Sequence, residues 1–140
     1  MNASEYTTYV NTLPGWVREM GITVRSVSED EVVAEWTVAP QHHQGYGIVH
    51  GGVHCGVIET VASIGAAYVA LGRKQRVVGL ENTTSFIRAV REGVLRAVGK
   101  PVTRGRTTQV WGVEILDAES KLVAKGQVRL LCLAEEVPLG

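Results

Sequence analysis

The sequence predicts an α+β domain in which a curled antiparallel β-sheet wraps one long central helix. Three observations point there. The segment from about Gly51 to Leu71 has helical periodicity and is small or apolar nearly all round, the composition of a helix enclosed on most sides. Four later segments alternate with period two between turn residues, as half-buried antiparallel strands do. The order of hairpin, helix and four strands needs few chain crossings.

Taken in order, Ser4 to Met20 carries Tyr6, Tyr9, Val10, Leu13, Trp16 and Val17 at mixed helical spacing, interrupted by Pro14-Gly15. Residues 1–20 therefore read as a short helix, a turn and a second helical piece. Thr23 to Val38 alternates, with Val32, Ala34, Trp36 and Val38 on one side and Ser28-Glu29-Asp30 as the turn of a hairpin. Pro40 to Val49, with Gly45 and Gly47, reads as a loop. In the helix, Val53, Val57, Val61, Ile64 and Tyr68 recur at three- and four-residue steps, and Gly72 is a natural stop. Val77 to Arg88, Val94 to Val102, Thr108 to Leu116 and Leu122 to Leu133 are the strands of an expected four-stranded meander. Its open edges invite pairing with a second copy.

Residues 1–140 are the size of one domain, large enough to fold without disulfide or metal. Fourteen basic and fourteen acidic residues cancel, so the basic surplus of a nucleic-acid binder is missing. Cys55 and Cys132 stand alone and read as small reduced core residues. His42, His43, His50 and His54 lack a carboxylate or cysteine companion at a ligand spacing, so no metal site is expected. No signal segment is seen, and no apolar run is read as approaching the roughly 18 residues that span a bilayer. The expectation is a soluble, cytoplasmic protein without membrane partners.

The chemistry is carried by Gln44-Gly45-Tyr46-Gly47-Ile48-Val49-His50-Gly51-Gly52-Val53, followed by Glu59. Gly51 and Gly52 sit where a loop becomes a helix, and the first turn of a helix leaves N–H groups free and partially positive. Two absent side chains let a ligand carbonyl approach those groups, as oxyanion stabilisation requires. Gln44 is placed to add a side-chain N–H. Glu59 is the only carboxylate or permanent charge in the helix, and an isolated carboxylate in apolar surroundings calls for a function. Ser63 lies one turn on, over the same face, where its hydroxyl can orient Glu59 or a water. Eight residues separate Gly51 from Glu59, roughly 12 Å along the axis. One thioester carbonyl cannot touch both in one chain, so the spacing implies a site shared across a two-fold dimer.

These residues resemble the hotdog-fold acyl-CoA thioesterases. His50-Gly51-Gly52-Val53 with a glutamate nine residues past the histidine is similar to their glutamate branch, which includes the 4-hydroxybenzoyl-CoA and 1,4-dihydroxy-2-naphthoyl-CoA thioesterases. Val77-Val78-Gly79-Leu80-Glu81-Asn82, Ser85-Phe86-Ile87-Arg88 and Arg104-Gly105-Arg106 leading to Gln109-Val110-Trp111 extend the resemblance. It implies Glu59 as nucleophile or general base, the Gly51 N–H as oxyanion donor, and Gln44 and Ser63 in support; His50, at the entry to the helix, reads as an orienting residue more readily than as a catalytic base. It further implies contacts to coenzyme A from Arg88, Arg106 and Thr107, while no basic residue near Glu135-Glu136 matches a further contact of the family. No cofactor is implied, coenzyme A being part of the substrate. An aromatic or medium-chain acyl group and a homotetramer of paired dimers are the expected substrate and assembly. A hotdog protein that binds acyl thioesters without hydrolysis, or a hotdog dehydratase or hydratase, is the alternative.

Overall fold

A computed structural model describes Met1–Gly140. Helices α1 (Ala3–Val10) and α2 (Trp16–Glu19) precede the hairpin β1 (Thr23–Val27) and β2 (Val32–Thr37). A short 3₁₀ turn at Pro40–His42 leads through the loop into α3 (Gly51–Leu71). Strands β3 (Gln75–Phe86), β4 (Val94–Arg104), β5 (Thr108–Leu116) and β6 (Leu122–Ala134) complete the chain. The helix bounds are those its periodicity predicts. The left-handed turn into β3 comes at Lys74 (φ 52°), while Gly72 keeps helical dihedrals.

All strand pairs are antiparallel, in the order β1-β2-β4-β5-β6-β3. This corrects the expected four-stranded meander. Only β4, β5 and β6 form one; β3 pairs with β6 at the far edge, and β4 returns beside β2. The length of α3 is the physical reason. Twenty-one residues span roughly 30 Å, and four strand spacings cover about 19 Å. The helix therefore carries the chain across the sheet and delivers β3 to the opposite edge.

The core lies between α3 and the concave face. Val57, Ile58, Val61, Ala62 and Ala66 of the helix meet Ala34, Leu95, Trp111, Val113, Ile115, Val128 and Leu130, all buried. A Cβ on Gly65 would stand 2.5 Å from the Trp111 ring, so the missing side chain is the notch that seats this indole. Gln109, wholly buried, donates to the Ala66 carbonyl (3.1 Å) and accepts from Trp111 Nε1 (3.0 Å). Its amide ties β5 to the helix without leaving a polar atom unpaired on that side.

The membrane reading of the sequence also needs a correction. By length and mean hydropathy (1.4) α3 is able to cross a bilayer. Here it is the helix packed against the sheet, with ten of its residues buried. Cys132 is buried and Cys55 only half-buried, and both are free thiols.

Candidate active site

The loop before α3 closes on itself. Gln44 N–H donates to the Ile48 carbonyl (2.9 Å), Gly47 N–H donates back to the Gln44 carbonyl (2.9 Å), and His43 bridges Val49. Gly47 occupies the left-handed region at φ 74°, where a glycine avoids strain. The Gln44 side-chain oxygen accepts from the Tyr46 N–H. That contact fixes the amide's orientation and leaves its NH₂ group as the outward donor.

His50 is the N-cap of α3. Its Nδ1 accepts from Gly52 N–H (2.7 Å), while Val53 N–H turns back to the His50 carbonyl (2.9 Å). The Gly51 N–H makes no hydrogen bond within the chain. A capped first turn thus keeps one polarised donor free. Phe86 at the end of β3 lies over Gly51, where a Cβ would meet its ring at 2.7 Å.

Glu59 projects from the middle of α3 toward β3. It is half-buried and forms no ion pair. Oε2 accepts from Asn82 Nδ2 (3.1 Å), which also donates to the Cys55 carbonyl (3.1 Å). Thr84 Oγ1 in turn donates to Asn82 Oδ1 (2.7 Å). The opposite carboxylate oxygen rests over Gly79, where a Cβ would stand 2.5 Å from Oε1. Ser63 lies one turn further along, half-buried, and makes no hydrogen bond to Glu59. Within one chain the orienting contact comes from Asn82.

A β-bulge explains how Asn82 reaches that position. Gly79 stands opposite Leu130 and Glu81 opposite Arg129, so Leu80 is the extra residue. Before the bulge the odd positions Val77 and Gly79 face the helix; after it the even positions Asn82, Thr84 and Phe86 do. An unbulged strand would turn Glu81 toward Glu59 and Asn82 away. One inserted residue replaces a like-charge clash with a neutral donor.

Gln44, Gly51 and Arg88 line one cavity of about 310 Å³, together with His54 and Phe86. Glu59 and Ser63 lie outside it, further along the helix. Arg88 is exposed just past β3, while Arg106 and Thr107 are exposed at the other end of that strand. There Gln75 Nε2 donates to the Arg106 carbonyl (3.0 Å) and Arg73 donates to the Gly105 carbonyl (3.0 Å). Arg73, Gln75, Arg104 and Arg106 surround a polar groove of about 500 Å³. A groove of similar size on the outer sheet face, between Val98, Lys100 and Glu114, contains none of these candidates.

The remaining histidines separate by environment. His42 is buried, its Nδ1 accepting from Ala39 N–H (2.9 Å) and its other nitrogen facing the Met20 carbonyl (2.8 Å). His43 bonds the Arg91 carbonyl (2.8 Å). His54, 4% exposed on the inner side of α3, is held neutral: burial pushes it down from 6.5 to about 4. Sequence reading did not single out Gly79, Asn82 or His54 for these positions. The bulge that aims Asn82 leaves no mark in a period-two pattern.

Residues 46–124 match the thioesterase superfamily. A 1,4-dihydroxy-2-naphthoyl-CoA hydrolase of Escherichia coli (strain K12) is 32% identical over 109 residues, 78% of this chain and 79% of that relative. The crystal structure of S. sahachiroi AziG is 44% identical, with TM-score 0.84 over 87% of this chain and 98% of the other. That of thioesterase HI1161 from Haemophilus influenzae is 26% identical, with TM-score 0.87 over 100% and 96%.

Proposed function

The chain belongs to the thioesterase superfamily, has the hotdog fold and is a thioester hydrolase, and from that premise we propose that it cleaves acyl-coenzyme A. The observation that carries the proposal is Glu59. It is a half-buried carboxylate without a cationic partner, aimed by Asn82 and given room by Gly79. A partly buried carboxylate held by one neutral donor and no cation adds little to the stability of an otherwise apolar helix, which favours a chemical reason for its place there. The proposed partner of that acid is the Gly51 N–H, with the Gln44 NH₂ group beside it, polarising the thioester oxygen.

Each single chain holds the two halves apart. Gly51 and Glu59 share one helix with roughly 12 Å of rise between them. The edge strand β3, twelve residues long with none of them fully buried, offers an unpaired backbone edge to a second copy. Two-fold pairing along it sets two α3 helices antiparallel, which brings Glu59 of one subunit toward Gly51 of the other. The coenzyme A contacts fit the same pairing. Arg88 and Arg106 flank opposite ends of a strand about 36 Å long, and antiparallel pairing places one subunit's Arg106 end near the other's Arg88 end.

The thioester carbonyl then sits on Gly51 N–H, and Glu59 attacks its carbon or removes a proton from an attacking water. Both routes break the carbon–sulfur bond and expel the coenzyme A thiolate, which takes up a proton. Direct attack leaves a mixed anhydride on Glu59 that a water then hydrolyses to the acid and free Glu59, whereas the water route gives the acid at once. The Asn82 amide holds the carboxylate in line throughout. An aromatic or medium-length acyl group and a tetramer of two such dimers complete the proposal. Thiol release from a panel of acyl-CoA esters is the test. Glu59→Gln should lower turnover at least about a hundredfold with the fold intact, and undiminished turnover would remove Glu59 from the chemistry.

A further inference from the structure

Of the three tryptophans, Trp36 and Trp111 are buried in the core, while Trp16 remains 42% exposed at the start of α2. Its neighbour Val17 packs against the core and anchors the segment. Glu19 N–H donates to the Gly15 carbonyl and Ile22 N–H to the Val17 carbonyl, each at 3.1 Å. The Trp16 indole instead reaches over α3 and sets the far edge of its six-membered ring on Gly56, where a Cβ would stand 2.7 Å from Cζ2. Gly15 permits that reach by holding φ at 109°, a conformation that side chains disfavour. A large apolar ring left half in water adds little to folding, so the core does not account for a tryptophan at this place.

Gly56 precedes Glu59 by three residues, roughly 4.5 Å along the axis and about 60° around it. The two flanks of the helix beside the acid therefore differ. Toward β3, Asn82 and Gly79 hold the carboxylate. Trp16 belongs to the other flank, along which Tyr6 of α1 also packs on Tyr68 (ring centroids 5.1 Å apart). We propose that Trp16 is a specificity-determining residue, its indole forming the wall against which the acyl group lies beside Glu59. The inference rests on the acyl-CoA reading above, in which the carbonyl carbon stands against Glu59 and carries three substituents. Its oxygen points to Gly51 of the second subunit, and its sulfur leads to the coenzyme A contacts at the ends of β3. The acyl carbon is left the direction that β3 does not fill, which runs past Gly56 to the indole. An uncharged ring or chain lying there removes apolar surface from water on both partners. The class favoured is an apolar acyl group large enough to reach the indole, over acetyl.

The test is acrylamide quenching of tryptophan emission from the full chain, which reports chiefly on Trp16 because Trp36 and Trp111 are 2% and 0% exposed. Phenacyl-CoA, a thioether that cannot be hydrolysed, is compared with coenzyme A alone, each at a concentration that saturates inhibition of benzoyl-CoA hydrolysis. Trp16→Phe, which removes the quenched emitter, supplies the baseline. Phenacyl-CoA should lower the quenching constant by about half or more, as the open ring face is covered, and coenzyme A should not. In Trp16→Ala the ratio of kcat/KM for benzoyl-CoA to that for acetyl-CoA should fall by about tenfold, the loss of one aromatic contact. Inhibition by phenacyl-CoA with unchanged quenching, as a partner subunit covering the indole would produce, overturns the assignment. So does an unchanged ratio in Trp16→Ala. If Trp16→Ala does not fold, the quenching decides alone; if phenacyl-CoA does not bind, the ratio does. Hydrolysis of neither ester counts against the acyl-CoA reading itself, an outcome separate from hydrolysis of both at an unchanged ratio.

Discussion

Replacing Gly79 with alanine puts a carbon where the Glu59 carboxylate now rests. That Cβ would stand 2.5 Å from Oε1 and 3.5 Å from Cδ, whereas ordinary contact begins at about 3.4 Å. The carboxylate has to retreat by about 0.9 Å. Its carboxyl is the free end of a flexible side chain, so the backbone need not move, and the strand accepts alanine. The melting temperature should change by no more than about 4 °C, the effect of 1 kcal/mol in a domain of this size. Catalysis is far less tolerant. A displacement of about 1 Å can lower a rate by about a hundredfold, and the shift also strains the 3.1 Å bond from Asn82. Thiol release followed with a chromogenic thiol reagent should show kcat lowered by about tenfold to a hundredfold with KM little changed. Gly65→Ala is the control: its Cβ meets the rigid Trp111 ring at 2.5 Å, which should lower stability by about 1–3 kcal/mol with a smaller change in kcat. Wild-type kcat in Gly79→Ala would refute the idea that the carboxylate's position matters.

Other perturbations separate catalysis from folding. Asn82→Ala removes the donor to Glu59 and should lower kcat/KM by about tenfold, while Asn82→Asp should do no better, since it returns a negative charge to the same place. His50→Ala removes the cap on Gly52 N–H and should lower stability by about 1 kcal/mol in urea unfolding. His54 stays neutral in the fold down to about pH 4 but takes up a proton when unfolded near its ordinary 6.5. Stability should therefore fall as the pH drops through that window, by about 2 kcal/mol after allowing for partial solvent screening, and be unaffected by His54 above it. His54→Leu should flatten that slope; an unchanged slope would place the acid sensitivity elsewhere.

Much of this architecture is legible in the residues because it is local. Helical periodicity and small side chains mark Gly51–Leu71, and period-two runs mark the strands, to within a few residues. The lone charge of Glu59 and the glycines at the helix start stand out for the same reason. What the pattern cannot carry is non-local. Nothing in Val77 to Arg88 says that it pairs with β6 rather than β4; that follows from the span of α3 across the sheet. Asn82 faces Glu59 only because Leu80 is bulged, and strict alternation assigns it to the wrong face. His54 sits at a spacing that suits core packing, and only the fold reveals that its Nδ1 is buried without a partner.

The central claim is that one catalytic centre draws its acid and its oxyanion donors from two copies of the chain. Glu59→Gln and Gln44→Ala subunits, each inactive as a homodimer, can be co-expressed with different tags and purified as the mixed dimer. A shared centre leaves one of the two sites with both Glu59 and Gln44, so the mixed dimer should recover about half of the wild-type activity. A mixed dimer as inactive as its parents would mean that each chain's own residues form its site, and the account would be wrong.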